Sequence, residues 1–72
     1  MTDAAKLKFI EDMILKLFKK SFTLKPTDVL LDLSIDSLDT VELQMCYEET
    51  TGHEITTDVA VSTVSDLMSV MR

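Results

Sequence analysis

The stretch that decides the fold is Asp32-Leu33-Ser34-Ile35-Asp36-Ser37-Leu38-Asp39-Thr40-Val41-Glu42-Leu43, near the middle of the chain. Asp36 is a favourable N-cap residue, and Asp39 three positions later can complete a capping box. The pattern therefore predicts a helix that begins at or just before Ser37. Ser37 then faces outward on the first turn, beside free backbone N–H groups and the positive end of the helix dipole, where a phosphate ester is favoured. An aspartate followed by serine also marks an ordinary helix start.

Composition indicates a small helical protein. The 72 residues allow one domain, predicted to span residues 1–72, with a modest core. Hydrophobic residues make up 46% of the chain and aromatic residues 6%, which suits a bundle filled by aliphatic and methionine side chains. One glycine and one proline leave little material for tight hairpins, so the composition disfavours an all-β fold.

Charge is distributed unevenly along the chain. No lysine or arginine occurs from Pro26 to Met71, whereas that span holds ten acidic residues: Asp28, Asp32, Asp36, Asp39, Glu42, Glu48, Glu49, Glu54, Asp58 and Asp66. Such a surface repels nucleic acid and attracts basic protein partners. No apolar run is long enough to cross a bilayer, and the basic residues of the first helix are interpreted as a solvated face rather than a membrane contact.

Neither the cysteine nor the histidine indicates an enzyme. Cys46 has no second cysteine to pair with, and no basic and apolar signal segment opens the chain, so a reducing, cytoplasmic setting is expected. Cys46 is predicted to be a small buried side chain and His53 a surface loop residue. No nucleophile, base and orienting acid come together in the pattern, and we predict no enzyme activity.

Four helices are predicted, three longer and one short, with a long loop between the first two. The first helix spans roughly residues 3–20, has Thr2 as its N-cap, and buries Leu7, Ile10, Ile14, Leu17 and Phe18. Residues 21–36 form the loop, which Leu30, Leu31, Leu33 and Ile35 are expected to attach to the core. The second helix runs from Ser37 to Thr51 and ends at Gly52. A short third helix covers 58–61, and Thr63 with Asp66 caps the fourth, whose inward residues are Val64, Leu67, Met68 and either Val70 or Met71.

A calcium site in the loop is an alternative that the pattern disfavours. Asp32, Ser34 and Asp36 stand at alternate positions, as ligands do in an EF-hand. Ser37, however, occupies the position of the required glycine, and Leu43 that of the bidentate glutamate.

The second helix carries two apolar stripes on nearly opposite sides. Leu43, Cys46 and Tyr47 form one stripe, and Leu38, Val41 and Met45 form the other. Either both stripes are buried, or the second is an exposed docking strip bordered by glutamates. The two interpretations have similar weight from the residues alone.

The run from Leu31 to Leu43, followed by Glu48-Glu49 and by Gly52-His53-Glu54-Ile55, resembles the acyl carrier protein family from about Val29 to Val70. The resemblance implies a four-helix acyl carrier fold in which Ser37 carries a 4'-phosphopantetheine arm, derived from coenzyme A, that holds acyl groups as thioesters. It implies that Asp36 orients the first turn and assists the modifying transferase, and that Leu38 contacts the transferase or the arm. An acyl chain is expected to enter near Leu43, Tyr47, Val61 and Val64.

The resemblance also implies a set of partners. They are a phosphopantetheinyl transferase and the acyltransferase, ketosynthase and other basic enzymes of fatty acid or polyketide synthesis, which a freestanding, monomeric carrier would serve. The residues expected to dock them are Asp39, Val41, Glu42, Met45, Glu48, Glu49 and Ile55. An aminoacyl or peptidyl carrier of nonribosomal synthesis and an unmodified acidic interaction module are the alternatives.

Three positions depart from the family pattern. Acyl carriers commonly have glycine where Ser34 stands, an aromatic residue where Thr51 stands, and proline where Thr56 stands. These departures leave Asp36, Ser37 and Leu38 untouched. They make a specialised carrier, such as one of polyketide synthesis, as reasonable an expectation as a fatty acid carrier.

Overall fold

Three α-helices and one 3-10 helix form the regular structure of residues 2–55 and 61–71, the part of the chain that the computed structural model describes. They are α1 (Asp3–Phe18), the 3-10 helix (Leu30–Leu33), α2 (Ser37–Thr51) and α3 (Val64–Ser69). The prediction of an all-helical fold is confirmed over these residues. The predicted short helix at 58–61 lies outside the described residues apart from Val61, which is not helical.

Helix α1 begins as predicted and ends two residues early. The Thr2 hydroxyl accepts a hydrogen bond from the Ala5 N–H, so Thr2 is the N-cap. Lys19 has a φ of 60° and its N–H donates to the Leu15 carbonyl at 3.1 Å, which ends the helix at Phe18. The predicted end at residue 20 is therefore wrong, because a left-handed residue cannot continue the helix.

The buried face of α1 is centred on three residues. Ile10, Met13 and Ile14 are buried, whereas Leu7 and Phe18 are partly buried against the core. Leu17 shares this face by rotation but is 37% exposed in the last turn, so its predicted burial is wrong. Met13 was missed, although it stands three residues after Ile10 and one turn of helix places the two together.

The segment between α1 and α2 is attached to the start of α3 by backbone hydrogen bonds. The Leu30 N–H donates to the Ser62 carbonyl at 2.9 Å, and the Val64 N–H donates to the Asp28 carbonyl at the same distance. Val29 and Thr63 form an antiparallel β-bridge between these bonds. The segment is therefore held by its main chain as well as by its leucines.

The 3-10 helix buries some of the leucines expected to attach this segment to the core and exposes one. Leu30 and Ile35 are buried, Leu33 is partly buried, and Leu31 is 70% exposed. The prediction that Leu31 faces the core is wrong. Consecutive side chains of a 3-10 helix are about 120° apart, so Leu30 and Leu31 lie on different faces, and only the face of Leu30 meets the core.

Ser34 ends the 3-10 helix in a left-handed conformation. Its φ is 62°, and its N–H donates to the Leu31 carbonyl at 3.0 Å. A side chain at this φ places Cβ too close to the following carbonyl oxygen. The glycine that acyl carriers commonly have at this position therefore matches a local geometric requirement, which serine meets with some strain.

Helices α2 and α3 begin with the capping boxes that the sequence predicts. In α2 the Asp36 carboxylate accepts from the Asp39 N–H, and in α3 the Thr63 hydroxyl accepts from the Asp66 N–H. Gly52 has a φ of 75° and its N–H donates to the Glu48 carbonyl at 2.8 Å, so α2 ends as predicted.

The core lies where α1 contacts both α2 and α3. The rings of Phe9 on α1 and Tyr47 on α2 meet edge to face, with centroids 5.7 Å apart. No buried side-chain nitrogen or oxygen lacks a hydrogen-bond partner within 2–55 and 61–71. None of the described helices has the length and apolar character needed to cross a bilayer. The buried hydrophobic residues are Ile10, Met13, Ile14, Leu24, Leu30, Ile35, Leu43, Tyr47, Ile55, Val64, Leu67, Met68 and Met71.

Replacing Ser34 by glycine should stabilise the protein. Glycine removes the left-handed strain at this position. The gain outweighs the cost of glycine's larger conformational entropy in the unfolded state, and we expect the free energy of unfolding to rise by roughly 0.5 kcal/mol. Ser65→Gly is the matched control, because Ser65 is an exposed residue inside α3, where glycine weakens the helix. Thermal and urea unfolding measure both variants, and a destabilised Ser34→Gly protein would contradict the prediction.

The carboxylate of Asp66 should make stability depend on pH. Hydrogen bonds from the backbone N–H groups of Ser62 (3.0 Å) and Thr63 (3.1 Å) lower the pKa of Asp66 below its ordinary value of 3.8. Because the pKa of Asp66 is lower in the folded state, its carboxylate stabilises the fold. This stabilisation is complete at pH values above the ordinary pKa of 3.8, and it is lost as the pH falls through the lower pKa of the folded state. Asp66→Asn should therefore be less stable than the wild type at neutral pH, and the difference should shrink in acid.

The control for this prediction is Asp32→Asn. The Asp32 side chain is exposed and forms no hydrogen bond with the described residues. Urea unfolding from pH 7 down to pH 2 should give curves for Asp32→Asn and the wild type that nearly coincide. An Asp66→Asn difference of the same size at every pH would show that the carboxylate charge has no role.

Candidate functional site

Ser37 is the first residue of α2, and its side chain is exposed to solvent. The capping box that precedes it is complete. The Asp36 Oδ1 atom accepts from the Asp39 N–H at 3.0 Å, and the Asp36 N–H donates to the Asp39 Oδ2 atom at 3.2 Å. These two reciprocal bonds hold the first turn, so the Ser37 hydroxyl is presented from a fixed backbone.

Free backbone donors lie next to this hydroxyl. The first helical hydrogen bond of α2 runs from the Thr40 N–H to the Asp36 carbonyl at 3.0 Å. The N–H groups of Ser37 and Leu38 precede it and have no acceptor inside the helix. Together with the positive end of the helix dipole, they form an environment that favours a negatively charged group bonded to Ser37.

An open groove of about 540 Å³ runs beside Ser37. Apolar side chains form most of its walls, and the Thr40 hydroxyl inside it donates to the Ser37 carbonyl at 2.8 Å. The groove is lined by Val29, Leu30, Leu31, Ile35, Asp36, Ser37, Thr40, Val61 and Ser62. A flexible chain attached to Ser37 can therefore lie along an apolar surface.

The groove only partly coincides with the predicted entry for an acyl chain. Val61 lines the groove, as that prediction requires. Leu43, Tyr47 and Val64 are instead buried in the core, with at most 1% of each residue exposed. An acyl chain reaching these three residues would have to displace packed side chains.

The outer stripe of α2 is exposed. Leu38 is 74% exposed, Val41 48% and Met45 53%, whereas Leu43 and Tyr47 on the opposite side are buried. The alternative in which both stripes are buried is therefore wrong. An exposed apolar strip along a helix is typical of a binding surface.

The acidic residues of α2 differ in what they contact. Glu42 and Glu49 are exposed, and Asp39 belongs to the capping box. Glu48 is half-buried, and its Oε2 atom accepts from the N–H of Ile55 at 2.8 Å, while the Ile55 side chain is buried. Glu48 and Ile55 thus connect α2 to the residues after it, a contact that the sequence did not indicate, and their docking roles stay predictions.

The remaining candidates lie away from Ser37. His53 is exposed, as predicted, and Cys46 is half-buried rather than fully buried. Cys46 lines a separate cleft with Phe9 and Met13, between α1 and α2. Within the described residues, no three histidine, cysteine, aspartate or glutamate side chains come close enough to hold a metal ion.

Curated relatives resemble the chain over nearly its whole length. It is 40% identical over 74 aligned positions to proteins named acyl carrier protein in Rickettsia canadensis (strain McKiel), Rickettsia massiliae (strain Mtu5) and Rickettsia rickettsii (strain Iowa). Each alignment covers 99% of this chain and 86% of the relative. This chain belongs to the acyl carrier protein family. No protein-family model matches the chain, and no solved structure matches it significantly.

Membership of the acyl carrier protein family confirms the predicted resemblance to that family. It supports an acyl carrier role for this chain. The relatives named acyl carrier protein are carriers rather than enzymes, which agrees with the prediction of no enzyme activity. The all-helical fold of this acyl carrier protein agrees with that membership.

Glu48 and Glu49 provide a matched pair for testing the structural contact. Glu48→Ala removes the charged acceptor of the Ile55 N–H, and we expect it to lower the free energy of unfolding by about 1 kcal/mol. Glu49→Ala removes an exposed carboxylate one residue away and should change it by less than about 0.5 kcal/mol. Urea unfolding of both variants at neutral pH is the measurement, and equal effects would show that the Glu48 contact does not stabilise the fold.

Proposed function

We propose that this acyl carrier protein bears a 4'-phosphopantetheine arm on Ser37 and delivers acyl groups to partner enzymes. The observation that carries the proposal is the exposed Ser37 hydroxyl on the first turn of α2, beside free N–H donors and an apolar groove. The arm contributes a thiol that forms a thioester with the acyl group. The chain itself supplies attachment, positioning and recognition.

The residues around Ser37 fit a phosphodiester-linked arm. The Ser37 and Leu38 N–H groups are available to donate to a phosphate oxygen, and the helix dipole favours its negative charge. Val29 and Val61 provide apolar surface along the groove for the uncharged part of the arm. Asp36 keeps the first turn in place through its capping bonds, so the attachment point does not depend on the cargo.

The exposed strip of α2 is proposed to receive the partners. Carboxylates accelerate and orient encounters with a basic surface, and the flexible Met45 side chain adapts to more than one partner. No lysine or arginine between Pro26 and Met71 opposes this attraction. The proposed docking residues are Leu38, Asp39, Val41, Glu42, Met45, Glu48, Glu49 and, less directly because it is buried, Ile55.

The proposed partners are a phosphopantetheinyl transferase and the acyltransferase, ketosynthase and related enzymes of fatty acid or polyketide synthesis. The chain is proposed to act as a single carrier domain and as a monomer. The family membership and the acidic, exposed face of α2 support these proposals.

Mass spectrometry of the intact protein tests the attachment site. After incubation with coenzyme A and a phosphopantetheinyl transferase, the wild type should gain the mass of one arm. Ser37→Ala should gain nothing, while Ser65→Ala, which removes an exposed hydroxyl on α3, should be modified normally. An unmodified wild type would favour an acidic interaction module, and modification of Ser37→Ala would place the arm elsewhere.

A further inference from the structure

The 3-10 helix presents to solvent a leucine that the core does not use. Leu31 is 70% exposed, and only Leu38, at 74%, is more exposed among the large hydrophobic residues of the described ranges. Its neighbour Leu30 is fully enclosed in the core, with 1% exposed. Exposure of a large apolar side chain leaves hydrophobic free energy that a binding partner can gain by covering it.

Leu31 is held in place by its neighbours. The Ser34 N–H donates to the Leu31 carbonyl, and the Ile35 N–H donates to the Leu30 carbonyl, both at 3.0 Å. The Leu30 N–H is bonded to the Ser62 carbonyl at 2.9 Å. A partner that binds Leu31 therefore does not have to order this backbone, which lowers the entropic cost of binding.

Leu31 lies close to the attachment point and on a different element from the α2 strip. It lines the same groove as Ser37, and Leu38 directly follows Ser37 in the chain. The two most exposed leucines thus belong to the surface around the Ser37 hydroxyl. An enzyme bound at this hydroxyl is therefore in a position to cover both leucines.

The charges around the two leucines indicate the chemistry of the partner. Asp32 and Asp36 are exposed, and Glu42 is exposed one turn after Leu38. No basic residue occurs in this part of the chain. The complementary surface is an apolar pocket bordered by lysine or arginine side chains.

We propose that Leu31 and Leu38 together form a docking surface, the leucine pair, that binds an apolar pocket with a basic border on the enzyme that modifies Ser37. The inference rests on the proposed function and extends the docking surface from α2 to the 3-10 helix. Leu38 secures the enzyme against α2, and Leu31 secures it against the preceding segment, so that the Ser37 hydroxyl is approached in a defined orientation.

Steady-state kinetics of arm attachment tests the leucine pair. The probe is a phosphopantetheinyl transferase with coenzyme A, and the variable is the concentration of the unmodified carrier. Leu31→Ser should raise the KM for the carrier by roughly fivefold or more while kcat changes little, because it weakens binding without touching the hydroxyl. Leu15→Ser is the matched control: Leu15 is 50% exposed on α1, and its replacement should leave KM unchanged.

The outcomes separate the inference from the proposed function. A wild-type KM for Leu31→Ser, with a raised KM for Leu38→Ser, would confine docking to α2 and overturn the leucine pair. The same pair of KM values would be measured if Leu31 contacted only the carrier's own arm, because the unmodified carrier used in the assay has no arm. A wild type that is never modified would overturn the proposed function itself. Circular dichroism of each variant must show wild-type helix content, and Leu31→Ile, which keeps the apolar surface, should restore most of the wild-type KM.

Discussion

Burial of Leu30 and Ile35 on either side of one tight turn is the constraint on which the rest of the site depends. The Ile35 N–H donates to the Leu30 carbonyl at 3.0 Å, so the chain between them is closed into a compact loop. Ile35 immediately precedes the cap of α2. The position of the Ser37 hydroxyl and the outward direction of Leu31 are therefore both consequences of two side chains entering the core.

Acidic side chains stabilise this fold mainly by accepting hydrogen bonds from the backbone. Only one ion pair occurs within the described ranges, between Lys8 and Asp12 at 3.5 Å, and both side chains are largely exposed. Such a pair contributes little to stability. The carboxylates that accept from backbone N–H groups belong to Glu11, Asp28, Asp36, Asp39, Glu48 and Asp66. The acidic residues without such bonds, among them Glu42 and Glu49, are free to attract a basic partner.

The predictions that rest on signals within a few residues were more accurate than those that depend on distant parts of the chain. The capping residues Asp36 and Thr63 and the terminating Gly52 act within four residues of their partners, and the structure confirms all three. Burial depends on distant elements, and there the predictions were less accurate. Leu31 was expected inside the core and is exposed. Ser34, at the position where acyl carriers commonly have glycine, has a left-handed backbone conformation that no local pattern in the chain indicates.

The sequence by itself determined the helical class, the start of α2 and the presence of a serine at its first position, because capping and helical periodicity are properties of short stretches. It also determined the acidic character of the chain from Pro26 to Met71, since charge is counted without coordinates. Only the tertiary structure decided which stripe of α2 faces solvent, that Glu48 holds Ile55, and that Leu31 lies beside Ser37. These outcomes depend on how α1, the 3-10 helix and α3 fill one small core, and residues far apart in the chain compete for that space.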